Sequence, residues 1–151
     1  WVDAKHDGKI IKCPIDEPDS KFVYQKVIDN SIENGLVKDL RTPVIGDEIP
    51  FVYFKIKKSE LRFTNEIDRV EVHKADEIFS EYEIEKIISF CKVMGLDYGE
   101  LDILRDNNDK RIYIVDVNKT PWGPPNKISK SDAQMVIDKI SKSFLKFLNT
   151  I

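Results

Sequence analysis

Three oxygen-bearing side chains, Asp102, Asp116 and Asn118, have the types and spacing to hold a cation. They fall in one stretch, Gly95 to Pro125, which reads GLDYGELDILRDNNDKRIYIVDVNKTPWGPP. Two β-rich runs, Tyr98 to Arg105 and Arg111 to Asn118, flank the polar cluster Asp106 to Lys110, whose Asn and Asp residues favour a turn. The stretch therefore reads as a hairpin. Side chains alternate faces along a strand, so Glu100 and Asp102 share one face of the first strand, and Asp116 and Asn118 share one face of the second. A turn centred near Asn108 and Asp109 sets Asp102 across from Asp116. Directly opposed like charges destabilise a sheet, and such conflicts with local rules tend to mark functional sites. Their repulsion is expected to raise at least one apparent pKa of the pair. Magnesium would relieve it, because it takes hard oxygen ligands, usually one or two protein carboxylates, and completes its octahedron with water and phosphates. A lone Asp-x-Asn more often merely ends a strand in solvent; the opposed Asp102 tips the balance toward a metal.

The elements that must position this hairpin are legible upstream and downstream. Leu36 to Ile45 pairs through Gly46-Asp47 with Ile49 to Ile56 as a second hairpin, preceded by a linker, Asn30 to Gly35. Ser80 to Met94 is the clearest helix: Ser80 and Glu83 suit a capping box, Ile84, Ile87, Ile88, Cys91 and Met94 follow one face, and Gly95 ends it. Lys21 to Ile28 reads as a β-branched and aromatic strand, and His6-Asp7-Gly8 as a turn before a short strand, Lys9 to Lys12. A last helix is capped by Ser129 or Ser131 and buries Val136, Ile140, Phe144 and Phe147, with Ile137 and Leu148 alongside. The order of elements predicts an α+β lobe, an antiparallel sheet with helices packed on one face.

Composition sets outer limits. The 151 residues suit one domain, or one and a half lobes of something larger. With 24 basic against 27 acidic residues, net charge −3, no electrostatic case for nucleic acid or an anionic membrane arises. There is no apolar run long enough to span a bilayer and no basic-then-apolar leader. Cys13 and Cys91 are too few for a disulfide framework, and with two widely scattered histidines they form no zinc spacing, so a reduced cytoplasmic setting is expected. The chain opens on Trp1 rather than Met, which reads as a fragment, a processed product or a trimmed chain.

LDILRD followed by IYIVDVNKTP resembles the metal-binding hairpin of the ATP-grasp superfamily, where an acidic residue on one strand and an acidic-x-Asn pair on the next hold magnesium ions against ATP phosphates. The flavour is that of the branch containing the ribosomal-protein glutamate ligase, with D-alanine:D-alanine ligase more distant. Asp116 stands where the family usually has Glu. The resemblance runs from about Lys21 to Ile151. It implies that residues 1–29 end the amino-terminal lobe and form the adenine hinge, and that residues 30–151 form the carboxy-terminal lobe. It also implies that most of the amino-terminal lobe, with its lysine-bearing strand, would lie upstream of Trp1.

The remaining candidates follow from that resemblance. YQKVID resembles the adenine hinge, implying that Gln25 or its backbone meets the adenine edge while Val27 and Ile28 pack near the ring; an ordinary core strand is the competing account. Arg41, in DLRTPVIGD, matches an Arg of the glutamate-ligase branch, and Arg62 and Asn65, in LRFTNE, match an Arg-x-x-Asn element serving the triphosphate and metal. An arginine fork suits phosphate, although a solvated strand Arg is equally ordinary. The implied cofactors are ATP and magnesium. The implied chemistry is activation of a carboxylate as an acyl phosphate, attacked by an amine or other nucleophile, with an unidentified small molecule or peptide as partner. Two departures stand out. Glu100 occupies the place where D-alanine:D-alanine ligase has an Arg, and the proline-rich KTPWGPPNK replaces a small Gly/Ser turn, leaving Trp122 either a wall for the acceptor or a packing residue. The alternatives are a non-catalytic nucleotide-binding or protein-interaction domain of the same fold, or a plain α+β structural domain. Oligomeric state is open.

Overall fold

The computed structural model describes residues 24–121 and 123–150. The turn at His6, the strand from Lys9 to Lys12, Cys13 and Trp122 lie outside the described residues. Among the described residues six strands form one antiparallel sheet: β1 (Ser31–Ile32), β2 (Leu36–Ile45), β3 (Val52–Lys58), β4 (Arg69–His73), β5 (Tyr98–Arg105) and β6 (Ile112–Asn118). Their order is β4-β3-β2-β5-β6, with β1 paired to the first residues of β2. The short helix α1 (Ala75–Ile78) leads into α2 (Glu81–Val93), and α3 (Lys130–Leu148) closes the chain. Both hairpins lie where the β-rich runs put them. The strand expected from Lys21 to Ile28 does not form over its described part, because Tyr24–Ile28 pairs with no strand.

An α+β antiparallel sheet with helices is what the pattern of elements predicts. The helices divide between the two faces, for a reason visible in β3. Val52 joins Leu40, Val44, Leu101 and Ile103 in a cluster with Ile87, Ile88 and Cys91 of α2. Its neighbours Phe51 and Tyr53 point the other way and pack with Val136 and Ile140 of α3. The first face is mostly apolar and packs against α2. The second is apolar chiefly toward Phe51, where α3 packs, and beyond it Arg41, Lys55, Lys57 and Asp102 leave a polar part open.

Local signals account for the helix ends. Ser80 Oγ accepts from the Glu83 N–H at 3.3 Å while the Glu83 carboxylate accepts from the Ser80 N–H at 3.0 Å, a complete capping box. Gly95 turns the chain out at φ 60°. Ser129 caps α3, accepting from the Asp132 N–H at 3.0 Å. Three residues expected in the core are on the surface: Met94 falls past the last turn of α2, and Ile137 and Leu148 lie on the outer side of α3. Burial pushes the Cys91 thiol up to about 11, so it packs as an apolar group.

Candidate functional site

The open part of the second face is built from alternate residues of four strands. In register, Tyr53 lies across from Arg41, Arg41 from Asp102, and Asp102 from Asp116. One row thus crosses β3, β2, β5 and β6. Asn118, two residues beyond Asp116, pairs with Glu100. The approach is tight there, because a Cβ on Gly99 would lie 2.8 Å from the Asn118 carbonyl oxygen. Only glycine leaves the strands room to close at that end.

A β-bulge between Asp102 and Ile103 sets the facing of the hairpin. Ile114 opposes Ile103 and Asp116 opposes Asp102, so Val115 is the extra residue. Ile112 and Ile114 pack toward α2, and so does Val117. With Val115 paired in an unbroken ladder, simple alternation would send Asp116 the way of Ile114. The bulge turns Asp116 and Asn118 to the open face instead.

The two opposed carboxylates have different surroundings. Asp102 receives a two-pronged contact from Arg41, Nε to Oδ1 and Nη2 to Oδ2, both at 3.0 Å, and Lys55 Nζ stands 3.3 Å from Oδ1. Asp116 is exposed and makes no hydrogen bond or ion pair among the described residues. The expected rise in pKa is not seen at Asp102. Burial pushes it up, but the hydrogen bonds and charges of Arg41 and Lys55 outweigh burial and hold its carboxyl below the usual aspartate range. Burial acts in the opposite sense on Lys55, lowering its pKa. Glu100, almost wholly buried, has its pKa raised, chiefly by loss of water, although Arg41 Nη1 lies 3.6 Å away.

A cleft of about 1010 Å³ runs over this row. All nine candidate residues border it, although they come from four separate segments. Gln25, Val27 and Ile28 form one edge, Arg62 and Asn65 another, and Arg41, Asp102, Asp116 and Asn118 the floor. Val27 is about half exposed. Arg62 is committed: its Nη2 donates to the Ile28 carbonyl at 2.7 Å and to the Asn30 side chain, fastening residues 28–30 to the sheet. Asn118 Oδ1 already accepts the Thr120 N–H at 2.9 Å, which leaves it a second lone pair. Among the described residues no group of three or more His, Cys, Asp or Glu comes together as a metal cage. Two carboxylates and one amide oxygen fit a magnesium ion that keeps most of its shell for water and phosphate.

Lys55, Lys57 and Asp39 also border the cleft and are not among the sequence candidates. Lys57 Nζ lies 2.7 Å from Asp39 and donates to the Arg62 carbonyl at 3.1 Å. Their signal is in the sequence: once Arg41 is set opposite Tyr53, alternation turns Lys55 and Lys57 to the same face as Arg41 and Asp39.

No protein-family model matches the sequence, and no curated protein matches it either. Solved structures that resemble the fold include ATP-grasp ligases. One is the ATP-grasp ligase PsnB complexed with a minimal precursor, 16% identical, aligned over 68% of this chain and 35% of that one with a TM-score of 0.46. The same ligase with minimal precursor, Mg and ADP is 17% identical over 68% and 32%, at 0.45. The macrocyclase MdnC bound with precursor peptide MdnA, from Microcystis aeruginosa MRC, is 17% identical over 80% and 35%, at 0.48. The chain spans about a third of the length of these proteins. Likeness this loose fixes neither residue correspondences nor chemistry.

Proposed function

We propose that the cleft binds ATP with magnesium, and that the chain is the carboxy-terminal lobe and hinge of an ATP-grasp ligase of the glutamate-ligase flavour. The observation that carries this reading is the meeting of nine residues, singled out in four stretches of sequence, along one cleft. In this reading Gln25, Val27 and Ile28 take the adenine, which an apolar edge with a few polar groups suits. Asp102, Asp116 and the Asn118 amide oxygen hold the cation, which when bound neutralises phosphate charge. Arg41 presents its fork to phosphate, and Lys55 adds a second cation beside it. Arg62 acts one step back, by holding the Ile28 carbonyl and so the hinge in place. The carboxylate activated in the complete protein is that of a small molecule or peptide, attacked by an amine or other nucleophile, in a cytoplasmic setting.

A second reading has its own support. Asp102 is already paired with Arg41 and Lys55, which suits a nucleotide-binding or interaction domain without turnover. Titration calorimetry of the chain with ATP, with and without millimolar magnesium, separates the readings from a plain structural domain. Binding that needs magnesium and is weakened by Asp116→Asn supports the cation site; no binding at millimolar ATP in either condition sinks both. Phosphate release on addition of candidate carboxylates then divides ligase from binding domain.

A further inference from the structure

Arg41 is held by two carboxylates that differ in one respect. Asp102 borders the cleft and is reachable from it; Glu100 is 4% exposed and does not border it. Nε and Nη2 of Arg41 point to Asp102, and Nη1 points to Glu100. Tyr53, directly across β2–β3 from Arg41, and Tyr98, two residues before Glu100, both sense the Glu100 charge. A carboxylate enclosed in this way cannot meet a ligand in the cleft, and the nearest cations to it are Arg41 and Lys55.

A cation bound by Asp102 would remove the partner of two of the three Arg41 nitrogens and set a positive ion beside a guanidinium. Repulsion would then drive Arg41 out of the cleft unless a second anion held it. We infer that Glu100 is that anion: a positioning residue that retains Arg41 when Asp102 turns to the cation, so that the freed Nε–H and Nη2–H fork faces an anionic ligand. The inference rests on the nucleotide reading above. Charge balance names the ligand class. With a divalent cation on Asp102 and Asp116, the remaining Arg41, Lys55 and Glu100 carry one net positive charge, which calls for the polyphosphate end of a nucleotide rather than its base or sugar.

Glu100→Gln tests this, since it removes the charge with little change of shape. Calorimetry on the 151-residue chain would compare Mg·ATP with adenosine. The expected result is a loss of roughly tenfold or more in Mg·ATP affinity, the scale of one charge-assisted contact, with adenosine affinity unchanged. Glu100→Asp should restore most of the loss, and in an Arg41→Met background Glu100→Gln should change nothing further. A merely structural Glu100 would lower both affinities by one factor, and that outcome, or wild-type Mg·ATP affinity in Glu100→Gln, overturns the inference while leaving the nucleotide reading in place. If Glu100→Gln does not fold, a loss of Mg·ATP binding in Glu100→Asp as large as in Arg41→Met overturns it as well. Wild-type protein that binds neither adenosine nor Mg·ATP overturns both.

Discussion

Asp102 and Asp116 stand directly opposite each other across the β5–β6 ladder, yet Asp102 is gripped by Arg41 and Lys55 while Asp116 has no ionic partner among the described residues. The apposition of like charges is relieved chiefly at Asp102, with Arg41 attracting Asp116 only at longer range. Asp102→Asn should therefore destabilise the metal-free protein by about 1–3 kcal/mol, because it strips two part-buried cations of their anion. Asp116→Asn and the outlying Asp97→Asn should each stay within about 0.5 kcal/mol of wild type. Urea unfolding of the three variants would decide the matter; a gain in stability for both Asp102→Asn and Asp116→Asn would show that the repulsion, not the Arg41 fork, governs the pair.

Glu100 gives a pH signature. Burial raises its folded-state pKa above the ordinary 4.5, so the native state holds the proton more tightly than the unfolded chain does. Its contribution to stability is present below pH 4.5 and is lost as pH rises through the folded value. Glu100→Gln removes the titration. Relative to wild type its melting temperature should be unchanged near pH 4 and should rise as pH climbs toward 7, a difference that a thermal scan at several pH values reads directly. A constant offset at every pH would contradict the burial argument.

Val27 borders the cleft without being packed away, so a charge there should be tolerated by the fold. Against an adenine ring the same charge loses solvation and gains no partner. Val27→Asp is expected to keep the wild-type circular dichroism spectrum and to lose adenosine affinity. Folded protein that binds adenosine as before would remove the hinge from residues 25–28.

The segment from Gln25 to Asp29 is also tied to the turn of the β5–β6 hairpin. Lys26 Nζ lies 2.7 Å from the enclosed Asp106 and 3.1 Å from Asp109, and it donates to the Tyr113 hydroxyl at 2.9 Å. The Asn107 N–H donates to the Asp29 carbonyl at 2.7 Å. Lys26→Met should release this clasp, and amide exchange at Asn107 and Lys38, whose N–H groups bond residues 29 and 30, should quicken while the α2 amides keep their protection. Unchanged exchange at Asn107 would mean that Lys26 is not the fastening.

How much of this was legible depends on the range of the interaction. The β5–β6 and β2–β3 hairpins and α2 announce themselves through turn residues, alternation and a capping box; the opposition of Asp102 and Asp116 agrees with a turn centred near Asn108 and Asp109, but the structure reaches it through the bulge at Val115, which nothing in the sequence announces. The strand β4 was missed because Arg69–His73 is short, has no tight turn before it, and is half polar. Tyr24–Ile28 has strand-like residues but pairs with no strand; its contacts are side-chain ones, such as Lys26 to Asp106 and Asp109. Arg62 illustrates the limit at the site: a sequence displays its charge, but its bonds to Ile28 and Asn30 span more than thirty residues and exist only after folding. The same holds for the Arg41 fork on Asp102, which depends on β2 lying beside β5.

The bulge at Val115 has a consequence for chain length. A change of length inside a strand ordinarily slides every later residue onto the wrong side, but here the ladder already holds one residue more than its pairs require. Deleting Val115 would leave Ile114 opposite Ile103 and Asp116 opposite Asp102, so each donor would survive with its neighbour intact, and only the local bend would be gone. A one-residue gap at this point is thus a way to keep the chemical inventory of the hairpin while altering its aim, which no point substitution among Asp102, Asp116 and Asn118 can do.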